Sequence, residues 1–150
     1  MAKFSNKVII IPARFAASRL PGKPMADIGG KPMIQHVWER AMAADMAPVY
    51  VATDDRTIAD VITAAGGKAV MTRAGHPSGS DRVFEAIETI DPDRNIEQIL
   101  NLQGDLPDLP SGLLHQLAAT LDRSQAELAT LVTAASDAEA ALPQVVKAVV

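Results

Sequence analysis

The sequence predicts an α/β fold in which helices enclose a mainly parallel sheet, giving three α/β/α layers. Short apolar runs of strand length alternate with helical patterns along the chain. With 150 residues, of which 48% are hydrophobic, the chain has the size and composition of one domain with a substantial core. Strands that alternate with helices usually lie parallel in one sheet with both faces covered.

Six segments have the composition of strands, because each is a short apolar run bounded by Gly, Pro or polar residues. We predict strands at residues 7–12, 49–53, 68–72, 98–102, 128–135 and 145–150. The last of these ends the sequence without a polar residue to protect an edge strand. We therefore expect this chain to be the first part of a longer protein.

Four segments carry apolar residues at helical spacing, and most have a start or stop signal. Pro32 suits the first turn of the first helix. Gly66 is expected to end the second, and Ser80 to cap the third. The predicted helices cover residues 32–46, 58–65, 83–90 and 113–121.

Composition and charge exclude several classes of function. The net charge of −4 does not favour a general nucleic-acid surface, so any anion site must be local. The absence of cysteine excludes disulfides, cysteine-based zinc sites and thiol catalysis. Pro12 interrupts the longest early apolar run, which is too short for a signal segment or a membrane span. We predict a cytoplasmic protein that does not insert into membranes.

Three cations, Arg14, Arg19 and Lys23, follow the first strand within one loop. The loop is not a P-loop, because Ala17 stands where that motif has its first Gly and Pro24 where it has Ser or Thr. It contains no G-x-G-x-x-G dinucleotide motif either. One interpretation is a solvated basic loop. The other is a clamp on a polyphosphate, which the position beyond a strand end favours.

Asp105 follows a predicted strand that we expect to be central in the sheet. It is either an ordinary turn residue or a carboxylate that holds Mg²⁺, with substrate phosphates as further ligands. Asp54 and Asp55 also follow a strand, but they precede a helix, and capping accounts for them.

The polar loop at residues 72–82 opens the third helix. Helix N-termini attract anions, but an ordinary capped loop has the same composition. The three histidines, His36, His76 and His115, lie far apart in the sequence and show no metal-ligand spacing.

Taken together, several stretches resemble the 3-deoxy-manno-octulosonate cytidylyltransferase (CMP-Kdo synthetase) family. They include IIPAR at 10–14, SRLPGKP at 18–24, GGKPMI at 29–34, VATD at 51–54 and LQGD at 102–105. The resemblance spans essentially the whole chain. The related CMP-sialic acid synthetases typically have Gly where this chain has Ala16 and Ala17, so the Kdo family is the better match.

The resemblance implies a nucleotide-diphospho-sugar transferase-like (Rossmann-like) fold and transfer of CMP from CTP to Kdo. Pyrophosphate would leave, Mg²⁺ would be the cofactor, and CMP-Kdo would serve lipopolysaccharide biosynthesis. By the same resemblance, Arg14, Arg19 and Lys23 would act in catalysis by neutralising the triphosphate, and Asp105 would bind the metal. The implied nucleotide-binding residues are Ala13, Arg14, Lys23, Arg73, Ser78, Gly79 and Gln103.

Family sequences continue well past this length, with the sugar-binding face, a second metal carboxylate and much of the dimer contact. We therefore assign residues 1–150 to CTP binding, and expect Kdo binding and homodimer formation to need the remainder. By itself this chain should bind CTP and turn over poorly. The family usually has an acid directly after the metal-binding Asp, where this chain has Leu106.

Three alternatives remain at this point. The chain is compatible with another sugar nucleotidyltransferase, such as one like the CMP-sialic acid synthetases, and with a truncated, non-catalytic nucleotide-binding module. A glycosyltransferase would suit the same sheet but usually needs a D-x-D metal motif, and Gln103 stands where its first Asp would be.

Overall fold

The structure is a computed structural model that describes residues 6–16, 21–143 and 145–148. Its strands are β1 (Lys7–Ala13), β2 (Asp27–Ile28), β3 (Lys31–Pro32), β4 (Val49–Thr53), β5 (Lys68–Met71) and β6 (Gln98–Asn101). Its α-helices are α1 (Met33–Ala43), α2 (Arg56–Ala64), α3 (Gly79–Ile90), α4 (Gly112–Asp122) and α5 (Asp137–Ala140), and a 3₁₀ helix covers Lys23–Met25.

Four strands form a parallel sheet in the order β5-β4-β1-β6, which confirms the predicted fold class. Strand β1 pairs with β4 on one side, with Ile11 opposite Val51, and with β6 on the other, with Val8 opposite Ile99. Strands β2 and β3 form a separate antiparallel hairpin. In the described part of the chain β6 therefore lies at a sheet edge, so its predicted central position was wrong.

The core lies on both faces of β1, because successive side chains of a strand point to opposite faces. Val8 and Ile10 are fully buried in a cluster that includes Val83 and Ala86 of α3. The intervening Ile9 is equally buried. Helices α1 and α2 contact each other and the sheet. Because crossovers between parallel strands are right-handed, the steps from β1 to β4 and β5 place these helices on the face opposite α3. The predicted enclosure of the sheet on two faces is thus confirmed.

For the elements that were predicted correctly, the main difference between prediction and structure is where the helices begin and end. Helix α1 ends at Ala43 rather than at residue 46, and Met42, one of the apolar residues in the predicted helix, is 48% exposed. The cap of α3 is Ser78, whose side chain accepts a hydrogen bond from the Asp81 amide, so the predicted cap at Ser80 was wrong.

The two predicted strands after residue 122 were also wrong. Residues 128–135 have no regular structure, and Leu128 is 84% exposed. Residues 145–148 are not a strand either, while 149–150 lie outside the described residues. A strand needs a neighbour for its backbone hydrogen bonds, and apolar composition alone does not supply one.

The chain divides into two compact units, one ending at His115 and the other starting at Gln116. The sheet belongs to the first unit. The second contains the remainder of α4 and the short helix α5, which begins with a capping box between Ser136 and Glu139. No helix among the described residues is long and apolar enough to cross a membrane.

Candidate nucleotide site

The strand order reverses direction at β1. From β1 the chain proceeds to β4 and then β5 on one side, and afterwards crosses to β6 on the other side. Helix α1 precedes β4 and helix α2 connects β4 to β5. Helix α3 connects β5 to β6 and lies on the opposite face of the sheet. In open parallel sheets this reversal leaves a crevice beyond the carboxyl ends of the two strands concerned, here β1 and β6.

A cavity of about 580 Å³ opens at this reversal point. That volume lies within the usual range for small-ligand sites. Seven residues singled out in the sequence line it: Ala13, Arg14, Lys23, Ser78, Gly79, Gln103 and Asp105. Six further residues complete the lining: Pro12, Pro24, Met33, His76, Arg82 and Gly104.

Lys23 and Asp105 meet in this cavity although they are far apart in sequence. The Lys23 ammonium donates to Asp105 Oδ2 at 2.8 Å. Lys23 begins the 3₁₀ helix after the β1 loop, and Asp105 follows β6. Their side chains are 40% and 51% exposed, so this ion pair remains accessible to solvent.

Gly104 allows the β6 loop to approach β1 closely. A Cβ atom on Gly104 would lie 2.8 Å from the Pro12 carbonyl oxygen, closer than such atoms can pack. Gly79 has a related role at the start of α3, where a Cβ would come within 3.3 Å of Pro12 Cγ. Both glycines bring backbone close to the end of β1 and so shape the cavity.

Arg82, which lines the cavity, forms a largely buried polar network. Its guanidinium donates to Asp54 Oδ2 at 3.1 Å through Nη2, and through Nη1 to the Thr72 hydroxyl and the Arg73 carbonyl oxygen. The Arg82 side chain is only 4% exposed. Asp55, by contrast, caps α2 by accepting from the Ile58 amide, so capping explains Asp55 and not Asp54.

His76 and Glu85 form a second polar pair beside the cavity. The His76 Nε2 atom is hydrogen-bonded to Glu85 Oε2, and the Arg73 amide donates to the same carboxylate at 3.1 Å. The hydrogen bond from His76, with those from Arg73, lowers the pKa of the Glu85 carboxyl below its ordinary value of 4.5. His76 Nδ1 is buried and has no partner within the described ranges.

The remaining predicted site residues differ in position. Arg14 is exposed at the cavity edge. Gln103 lines the cavity while its side-chain amide donates to Asn101 Oδ1 at 3.2 Å. Arg73 lines a neighbouring depression, and its Nε lies 3.8 Å from Glu85. Arg19 lies outside the described residues.

Among the described residues, no group of three or more His, Asp or Glu side chains is arranged to hold a metal ion. Asp105 is the predicted metal ligand, and a single carboxylate is compatible with Mg²⁺, which often binds through one or two carboxylates together with substrate phosphates. The donor chemistry at Asp105 therefore fits magnesium bound with a polyphosphate.

Sequence reasoning missed three parts of this site. The sequence placed Gly104 beside Asp105 but gave no sign of the close approach to Pro12. Sequence reasoning attributed Asp54 to helix capping. Its actual partner, Arg82, lies 28 positions away, so no local pattern indicates the contact. His76 was placed in the polar loop before the third helix, but its pairing with Glu85 was not predicted, because that contact depends on the turn between β5 and α3.

Several known proteins are similar to this chain over most of its length. A family model described as "Cytidylyltransferase" matches residues 8–149. The 3-deoxy-manno-octulosonate cytidylyltransferase of Nitrobacter hamburgensis is 53% identical over 146 residues, covering 97% of this chain and 57% of that protein. The enzyme of the same description from Methylorubrum extorquens is 54% identical over 127 residues, covering 85% of this chain and 51% of that protein.

Solved structures are similar over about four fifths of this chain. The structure of CMP:2-keto-3-deoxy-manno-octonic acid synthetase complexed with CTP has a TM-score of 0.71 and 45% identity, covering 79% of this chain and 48% of that one. A cytidylyltransferase from Leptospira borgpetersenii has a TM-score of 0.67 and 25% identity, covering 81% of this chain and 50% of that one. The chain spans a little over half the length of these curated relatives and about half that of the solved chains.

Proposed function

Because this chain belongs to the cytidylyltransferase family, we propose that it carries the CTP-binding part of an enzyme that transfers CMP from CTP to Kdo. The observation that carries this proposal is the cavity at the β1–β6 reversal, where Arg14 and Lys23 lie with Asp105. The relatives that match nearly all of this chain are named for the same reaction.

In the proposed reaction, the anomeric hydroxyl oxygen of Kdo attacks the α-phosphorus of CTP. The bond from that phosphorus to the bridging oxygen breaks, pyrophosphate leaves with the electron pair, and the hydroxyl proton is lost to a base or to solvent. The products are CMP-Kdo and pyrophosphate. Such phosphoryl chemistry depends mainly on positioning and on neutralising charge, rather than on covalent catalysis by the protein.

Arg14, Arg19 and Lys23 supply the positive charge for the triphosphate in this proposal. A guanidinium can bind two phosphate oxygens at once, whereas the Lys23 ammonium acts as a compact point charge. When bound, Mg²⁺ held by Asp105 would neutralise phosphate charge and stabilise the leaving pyrophosphate.

Another part of the cavity lining is assigned to cytosine and ribose. Ser78 and Gly79 at the start of α3, the backbone near Ala13 and the Gln103 amide offer hydrogen-bonding groups there. A slot sized for a pyrimidine excludes purines sterically, and donor–acceptor mismatch discriminates against uracil. Arg73 joins this set in the proposal although it lines the adjacent depression, where it neighbours Glu85.

Kdo recognition and homodimer formation belong, in this proposal, to the part of the relatives that this chain does not span. The proposal also includes a cytoplasmic location and a role for the product in lipopolysaccharide biosynthesis, as the resemblance implies.

Calorimetric titration of this chain with Mg–CTP, with Mg–UTP and Mg–ATP in parallel, tests the proposal. We expect CTP to bind at least about tenfold more tightly than either competitor, which corresponds to about 1.4 kcal/mol. Arg14→Ala and Arg19→Ala should weaken CTP binding without unfolding the chain. Arg56→Ala is the matched control, because this exposed arginine pairs with Asp60 on α2 and does not line the cavity.

Two results would contradict the proposal. Tighter binding of UTP than of CTP would assign the chain to a different sugar nucleotidyltransferase. The second result is a chain that is folded, as checked by circular dichroism, but binds none of the three nucleotides. In that case residues 1–150 do not carry the CTP site.

A further inference from the structure

Helix α1 lies beside the segment that joins β6 to α4, and two contacts connect them on either side of Asp105. Ile34, near the start of the helix, is fully buried, and a Cβ atom on Gly104 would lie 3.4 Å from its Cδ1 atom. Further along the helix, Arg40 Nε donates to the Pro107 carbonyl oxygen at 3.3 Å. The predicted metal ligand therefore lies between two points at which the segment meets α1.

A third contact lies at the C-terminal end of α1. His115 Nε2 is hydrogen-bonded at 2.7 Å to the carbonyl oxygen of Ala44, which is the C-cap residue of the helix. Because a carbonyl oxygen only accepts, Nε2 carries the proton in this contact. His115 belongs to the first turn of α4, so this hydrogen bond holds the far end of the segment.

The three contacts occur in the same order along the helix and along the segment. Positions 34, 40 and 44 of the helix meet positions 104, 107 and 115 of the segment. At a rise of about 1.5 Å per residue, positions 34 and 44 are about 15 Å apart along the helix axis. The segment thus follows α1 over nearly the whole length of the helix.

The segment has little structure of its own to fix Asp105. Residues 102–111 form neither helix nor strand, and among the described residues the one backbone hydrogen bond within 103–109 runs from the Leu109 amide to the Leu106 carbonyl oxygen at 3.3 Å. The ion pair of Asp105 with Lys23 is about half exposed, and such pairs contribute little. The position of Asp105 therefore depends on what the segment packs against.

We propose that α1 positions Asp105 for its metal, with Arg40 and His115 as the positioning residues. Neither is among the described residues that line the cavity, so in this proposal neither touches the nucleotide. The inference rests on the proposed function, in which Asp105 holds Mg²⁺, and deepens it by naming what fixes the carboxylate. Mg²⁺ demands near-ideal octahedral geometry, so a displaced carboxylate holds it less well.

Arg40 suits a test of this role because its loss should affect the site more than the fold. Its side chain is exposed, so removing it leaves no deeply buried group without a partner. The guanidinium is a charged donor to a neutral carbonyl oxygen. One hydrogen bond of this kind accounts for a change in affinity of at most about tenfold.

The first experiment measures CTP binding by calorimetry, once with Mg²⁺ and once with EDTA. We expect Arg40→Met to bind Mg–CTP about three- to tenfold more weakly than wild type, and metal-free CTP about equally. Arg40→Lys retains a charged donor and should keep most of the affinity for Mg–CTP. Arg56→Met is the matched control, because this exposed arginine lies on α2 and does not line the cavity.

Amide hydrogen exchange of the nucleotide-free protein tests the positioning directly. In Arg40→Met, peptides that cover residues 103–109 should exchange at least about threefold faster than in wild type, whereas β1 peptides should not change. His115→Leu removes the second hydrogen bond and should also accelerate exchange in the segment. His115→Gln keeps an amide donor and should remain close to wild type. Thermal unfolding of each variant checks that the fold is retained.

Three results would overturn the inference. The first is an Arg40→Met variant with unchanged Mg–CTP affinity and unchanged exchange over residues 103–109. The second is an equal loss of affinity for Mg–CTP and metal-free CTP, because a displaced metal ligand weakens only the former. The third is an equal loss in Arg56→Met, which would indicate an effect of net charge.

These measurements distinguish failure of this inference from failure of the proposed function. If wild type binds Mg–CTP and Arg40→Met binds it equally well, only the positioning role of α1 is refuted. If wild type binds CTP neither with nor without magnesium, the CTP site itself is refuted, and the metal-positioning role with it. Hydrogen exchange then still shows whether α1 holds the segment.

Discussion

Arg82 Nη2 donates to Asp54 Oδ2 at 3.1 Å, and this contact ties helix α3 to the carboxyl end of β4. The side chains of Arg82 and Asp54 are 4% and 19% exposed, so the pair is largely removed from water. Arg82 also donates to Thr72 just after β5. One guanidinium thus connects two strand ends and a helix beside the cavity.

Replacing Arg82 should destabilise the fold. Arg82→Met leaves Asp54 buried without its cationic partner, and breaking such a pair typically costs about 3–5 kcal/mol. Urea unfolding measures this loss. Arg56→Met is the control, because Arg56 pairs with Asp60 and their side chains are 80% and 68% exposed. Such an exposed ion pair is expected to contribute at most about 1 kcal/mol. Equal losses in the two variants would contradict a special role for the buried network.

A methyl group at position 104 should damage the site through the backbone. Gly104→Ala places a Cβ 2.8 Å from the Pro12 carbonyl oxygen, so the β6 loop must shift away from β1. We expect a loss of about 1–3 kcal/mol in unfolding free energy, as for other overpacked sites, together with weaker Mg–CTP binding. Gly112→Ala is the control, since a Cβ there meets nothing within 4 Å. Wild-type affinity and stability in Gly104→Ala would show that the close approach is unimportant.

Glu85 should make the stability of the fold sensitive to acid. Its pKa is lowered from 4.5 by the hydrogen bond from His76, so the folded state favours the carboxylate. For a lowered acid pKa, the contribution is complete above the unfolded value and disappears as pH falls through the folded pKa. Glu85→Gln should therefore lose less stability than wild type between about pH 5 and pH 3.

Denaturant unfolding at several pH values in that range measures the difference. Glu88→Gln on the same helix is the control, because Glu88 is exposed and, in the described part of the chain, shows no comparable hydrogen bond. Identical acid profiles for wild type and Glu85→Gln would contradict the role of the His76–Glu85 pair.

The two serines at the start of α3 should respond differently to alanine. Ser78→Ala removes the cap that accepts from the Asp81 amide, at a cost of about 1 kcal/mol. Ser80→Ala changes an exposed residue within the first turn and should be nearly neutral. Thermal and urea unfolding of both variants distinguish them. A larger loss of stability in Ser80→Ala than in Ser78→Ala would instead support Ser80 as the cap.

Local patterns predicted most of the elements of the first unit. The apolar alternation of residues 49–53 matches β4 without error, and Asp55 caps α2 as its position before the apolar pattern indicates. One local error concerns a helix whose start signal is present in the sequence. Ser136 and Glu139 form a capping box with the usual spacing, and the helix that it begins was not predicted.

Some site residues were predicted from their position after strands and others from resemblance alone, and the two groups differ in where the structure places them. Arg14, Lys23 and Asp105 follow strand ends, and the carboxyl ends of parallel strands meet at one edge of the sheet. Their convergence could therefore be predicted from local patterns. Arg73 was assigned by resemblance, and the structure places it beside Glu85 in the adjacent depression.

The sequence by itself determined the parallel α/β class, the types of most elements of the first unit and the cluster of charge beyond its strands. The exceptions are the β2–β3 hairpin and the 3₁₀ helix at Lys23–Met25. These depend on residue periodicity and on groups a few positions apart. Only the tertiary structure decided the order β5-β4-β1-β6, the contact of Lys23 with Asp105 and the burial of Arg82 against Asp54. The physical reason is that hydrogen-bonding partners and ionic contacts depend on distances in space. Local sequence patterns do not encode those distances.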